Sequence, residues 1–139
     1  MTAQENSSSP TKAPVSPTLK PGHRYLSVIA HVSGENAQRL EEWKRTVVGG
    51  AAAPISTHVT VYLAELNESL LAAVQSPQFR EALDVSRFEA RWGTVHSFRP
   101  VTEVEYLNLE AGKTEFEQIH QKLVDLFGAG AASFPYVPH

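Results

Sequence analysis

Two periods of hydrophobic repetition alternate along this chain, and the switches between them mark out its elements. Arg24 to Val32 is short and β-branched and predicts a strand, closed by Ser33, Gly34 and Glu35 at the start of a helix. In that helix Ala37, Leu40, Trp43 or Lys44, and Val47 recur at helical spacing until Gly49-Gly50, and Ala51 to Pro54 read as a loop. Ser56 to Glu65 alternates with period two, so His58, Thr60 and Tyr62 are expected on one face and Val59, Val61 and Leu63 on the other.

Asn67 can cap a short helix through Val74, which Pro77 interrupts, and a second turn runs to Leu83. Ser86 to Phe98 returns to strand, with Arg87, Glu89 and Arg91 opposed to Phe88, Ala90 and Trp92, and Gly93 as a bend or bulge. Thr102 to Glu110 predicts a further strand. Thr114 to Glu117 has the form of a capping box, and Phe116, Ile119, His120, Leu123 and Phe127 form one stripe ending at Gly128. Ala129 to Ser133 is a small-residue loop, and Phe134 to His139 is extended because each proline disfavours helix in the residue before it. The class expected from this order is α+β with largely antiparallel sheets.

Residues 1–21 are rich in Ser, Pro, Thr and Lys and offer almost nothing to bury, so they are expected to be a disordered tail ahead of one domain over residues 22–139. A chain of 139 residues suits one core better than two. The net charge is −3, and the tail, with Lys12 and Lys20 against Glu5, leaves the remainder more acidic still. Bulk charge therefore does not hold long nucleic acid, and DNA is not an expected partner. The absence of cysteine removes thiol nucleophiles and thiolate metal sites together. The N-terminus lacks the pattern of a secretory signal and no stretch has the length of a membrane span, which makes a cytoplasmic location, away from membranes, the expectation. No His-x-x-x-His or Glu-flanked pair suggests a metal site.

The chemistry on offer is histidine chemistry. His58-Val59-Thr60 on a strand, taken alone, also fits a half-buried strand with a polar solvent face. A second element adds specificity: Phe134-Pro135-Tyr136-Val137-Pro138-His139 follows an amphipathic helix late in the chain. Together, in this order of elements, they resemble the His-x-Thr motif and the lead-in to the second histidine motif of the 2H phosphoesterases, the 2′-5′ RNA ligase-like family, over Tyr25 to His139.

The resemblance implies a bilobed fold with a central cleft, each lobe contributing one histidine, with His58 as general acid and His139 as general base. It implies cleavage of 2′,3′-cyclic phosphate or 2′-5′-linked ends of nucleotides or RNA without metal or organic cofactor. Relatives continue past the second histidine with a hydrophobic residue and then Thr or Ser, whereas this sequence stops at His139. The second lobe is therefore expected to be incomplete at its C-terminal side, with an open sheet edge through which a homodimer could form. A non-catalytic nucleotide or RNA-end binding module, or an inactive fragment of the same fold, is the alternative.

Physical chemistry supports the paired-histidine reading independently. Hydrolysis of a cyclic phosphate needs a base for water and an acid for the leaving ribose oxygen, and imidazoles, with an ordinary pKa of about 6.5, can take both parts near neutral pH. Thr60, two residues beyond His58, can donate its hydroxyl to a non-bridging phosphate oxygen. Tyr62, Tyr136 and Phe134 are candidates to stack on a base, although aromatics at such positions equally well form core. His23, His31, His96 and His120 read as structural or surface residues, and Arg87, Glu89 and Arg91 as a solvated ion-paired face.

Overall fold

The computed structural model describes residues 20–48, 57–100, 105–130 and 136–139. The expected tail through residue 19, the loop at 51–54 and Phe134 lie outside the described residues.

The chain runs β1 (Tyr25–His31), α1 (Glu35–Val48), β2 (His58–Glu65), α2 (Glu68–Val74), α3 (Pro77–Leu83), β3 (Arg91–Ser97), β4 (Glu105–Ala111) and α4 (Lys113–Phe127). The strands pair as two antiparallel two-stranded sheets, β1 with β2 and β3 with β4, so the class is α+β. An isolated two-stranded sheet is marginal in water, and here α4 supplies the missing support by packing on both β2 and β4. Its stripe Phe116, Ile119 and Leu123 is buried against Val59, Val61, Tyr62 and Ala64 of β2 and Leu109 of β4.

Local chemistry sets the element ends. Asn67 accepts the Leu70 N–H at 2.8 Å and starts α2. Pro77 does not simply break that helix but opens the next one, with Ser76 as the N-cap whose hydroxyl accepts the Phe79 N–H. The third strand is shorter than the alternation predicts, beginning at Arg91 rather than Ser86.

The capping box expected at Thr114 does not form. α4 begins two residues earlier, and its N-cap is Gly112 with φ 91° and no side-chain cap. A Cβ at this position would lie 2.9 Å from the Glu89 carbonyl oxygen and 3.1 Å from the Ala90 Cα, so both the left-handed backbone and the tight space favour glycine. The strand therefore turns into the helix with no room for a polar cap, and Thr114 falls inside the first turn.

The largest departure from the expected pattern is in β2. Ala30 pairs with Val59 and Ile29 with Thr60, but Val28 pairs with Tyr62, leaving Val61 as an extra residue in a β-bulge. The bulge shifts the alternation by one position. Leu26, Val28 and Ala30 with their partners Ala64, Tyr62 and Val59 now form the core face. The opposite face carries Ser27 with Leu63, Ile29 with Thr60, and His31 with His58. Tyr62 thus leaves the expected His58 face for the core, where it is 2% exposed.

Candidate functional site

His58 and Thr60 remain on one face of β2, and that face turns away from the core. The strand start is tied to α1: the Glu41 carboxylate accepts both the backbone N–H and the hydroxyl of Thr57, the residue before His58. The Thr57 hydroxyl bond lowers the Glu41 carboxyl from its ordinary value, against desolvation and with further help from the Lys44 charge. The Val32 N–H donates to the Thr57 carbonyl, so the ladder continues past His58 and fixes its direction.

With Val32 and Thr57 bonded to each other, alternation makes His31–His58 and Ile29–Thr60 non-hydrogen-bonded pairs, whose backbone polar groups point to the outer edge of β2. Two groups from elsewhere satisfy that edge. The Thr60 carbonyl accepts the Tyr136 hydroxyl at 2.7 Å, and the Val61 carbonyl, freed by the bulge, accepts the His120 Nδ1–H at 2.7 Å. The Tyr136 and His120 rings stack on each other with centroids 4.1 Å apart and planes 8° apart. Burial, and then the negative charge of Glu117, push the Tyr136 phenol well up from its ordinary range.

This contact fixes the segment that bears His139. Pro138 is fully buried beside it, so residues 136–139 are anchored rather than frayed. His139 lies in an aromatic corner of the second hairpin, its ring edge-on to Phe98 at 5.4 Å and to Tyr106 at 5.0 Å. Its Nδ1–H donates to the Val137 carbonyl at 2.7 Å, which leaves Nε2 of the neutral ring as the nitrogen available to an incoming group. Each imidazole is therefore held by a different hairpin, and the strand of the first is bonded to the segment of the second.

A comparison with known protein families matches residues 32–139 to the 2'-5' RNA ligase superfamily. The chain belongs to that superfamily. No curated protein and no solved structure matches it. The match in this 2'-5' RNA ligase superfamily member spans both His58-Val59-Thr60 and the segment Pro135 to His139.

The other candidates within the superfamily domain fall in different places. Tyr62 donates its hydroxyl to the Gly128 carbonyl at 2.9 Å and packs against Phe127, leaving no ring face for a base, and burial raises its phenol above the ordinary range. Tyr136 is half-buried with one face on His120, so its part is to position the segment. Arg91 pairs with Glu89 and Glu110 on an exposed surface, as the solvated ion-paired reading expected. No group of three or more His, Asp or Glu positioned to hold a metal occurs among the described residues, and no helix among them is long and apolar enough to cross a membrane.

Sequence reasoning missed two features of this site. The corner around His139 is built from Phe98 and Tyr106, whose rings stack at 4.2 Å, with His96 stacked on Tyr106 and bonded to the Thr94 hydroxyl. The other is His31, directly across the strand pair from His58. The signal for it was the sum of positions that an antiparallel register keeps constant, which becomes readable only once one bond of the ladder is known.

Proposed function

We propose that the protein is a phosphodiesterase that hydrolyses 2′,3′-cyclic phosphate or 2′-5′-linked ends of nucleotides or RNA by paired-histidine acid/base catalysis, acting in the cytoplasm. The observation that carries this reading is the bond from the Tyr136 hydroxyl to the Thr60 carbonyl, which joins the segment bearing His139 to the strand bearing His58 and Thr60. Thr60 donates its hydroxyl to a non-bridging oxygen of the phosphate. His139, with its Nδ1 proton committed to Val137, presents Nε2 to a water molecule and takes its proton as the water attacks phosphorus. His58, protonated, gives its proton to the leaving ribose oxygen, so the ester bond breaks as the new P–O bond forms.

Turnover of 2′,3′-cyclic AMP in the presence of a chelator tests the reading. Replacing His58 by Ala removes the acid and is expected to lower kcat by about 10² to 10⁴, the usual worth of a positioned acid or base. Unchanged turnover in His58→Ala would overturn it. Cyclic nucleotide that binds and is recovered intact would instead identify a non-catalytic binding module.

A further inference from the structure

We propose that His31 is a third phosphate-contacting residue of this site, the donor to the second outer oxygen of the bound phosphate. The inference rests on the reading of the His58 and Thr60 face as the phosphate site. His31 and His58 form a non-hydrogen-bonded cross-strand pair, the kind with the closer backbones, and such partners have Cβ atoms about 4.5–5.5 Å apart on the same face. The next pair on that face is Ile29 with Thr60. Three corners of this four-residue block are hydrogen-bonding side chains able to meet a phosphate, and the fourth, Ile29, is 45% exposed and offers an apolar surface to a ribose.

The stoichiometry of donors favours this arrangement. A cyclic phosphate carries two non-bridging oxygens besides its ester oxygens. His58 serves the ester oxygen that leaves and Thr60 one of the outer oxygens, which leaves the other outer oxygen without a donor from β2. An N–H of His31 fills that role. His31 is exposed, so its ring is open to a phosphate seated on this face.

The test uses adenosine 2′-monophosphate as a probe, followed through the imidazole resonances of the whole protein. The signals of His31 and His58 are expected to move along one binding curve. Replacement of His31 by Ala should weaken binding about tenfold, as loss of a hydrogen bond to a charged group does, and His31→Asn, which restores an N–H donor, should recover most of it. With 2′,3′-cyclic AMP the same loss should appear in KM more than in kcat. A dissociation constant in both variants within twofold of the parent, a His31 signal that stays still while that of His58 moves, or a parent that does not bind the probe would each overturn the proposal. Persistent turnover in His58→Ala would instead remove the catalytic reading, so the two failures can be told apart.

Discussion

The two hairpins share a construction, antiparallel strands with a bulge beside the polar face, yet they are held in opposite ways. The first buries Val59, Val61, Tyr62 and Ala64 of β2 against α4. The second buries only Leu109 among its strand residues, with Phe98 just beyond β3, and the apolar Val95 is 50% exposed. The second hairpin relies instead on side chains gathered at its polar face: Phe98 stacked on Tyr106, Asn108 bonded to the Thr94 N–H, and Arg91 between two carboxylates. A sheet packed on a helix holds its residues rigidly. One laced together through its own side chains opens more readily. The acid and phosphate donor of the proposed reaction thus stand on the stiff hairpin, and the proposed base stands on the softer one.

The largest effect expected is one that erases this difference. Leu123 of α4 is fully buried, and its helix supports both sheets, so Leu123→Ala should cost about 2–5 kcal/mol through the cavity it leaves. Urea unfolding would read the loss, and amide exchange should show both hairpins less protected. Loss confined to one hairpin would mean that the other has support besides α4.

A smaller effect should fall on the second hairpin alone. Gly93 and Thr94 stand opposite Asn108 in the bulge, and a Cβ at Gly93 would come within 2.2 Å of the Asn108 Oδ1. Gly93→Ala therefore drives that amide away from the Thr94 N–H, a loss of about 0.5–1.5 kcal/mol, since water can take over the exposed donor. Exchange should quicken in β3 and β4 and stay unchanged in β1 and β2. Adding Asn108→Ala should bring little further loss, since the contact it removes is already broken.

How much of this was legible beforehand depends on what each residue answers to. His58 and Thr60 were placed correctly because the alternation around them is intact up to Thr60. Tyr62 was misplaced because Val59 to Leu63 contains adjacent large apolar residues, and a period of two cannot tell which neighbour the core takes. Only the helix stripe and the Gly128 carbonyl, both distant in sequence, decide it. Thr114 offered a capping signal that the tight turn at Gly112 overrode, and Gly112 itself was the better clue. The bulge at Gly93 was foreseen, since glycine in a strand marks such sites. The corner around His139 was invisible, because Phe98 and Tyr106 meet only through their strand register.

The smallest effect expected lies at the link between the two hairpins. Tyr136→Phe keeps the ring on His120 but removes the hydroxyl bonded to the Thr60 carbonyl, a loss of about 1 kcal/mol near neutral pH. The pH dependence has a definite sign. Because burial raises the folded-state phenol, its contribution is fully present below the ordinary tyrosine value of about 10 and is lost as pH rises toward the folded value. The variant has no such group, while both proteins keep the alkaline decline due to buried Tyr62. The urea midpoints of parent and variant should therefore differ most at neutral pH and converge above about pH 10. A gap that stays constant through that range would mean that the phenol ionises alike in folded and unfolded chains, and that the link between the hairpins is looser than a buried bond.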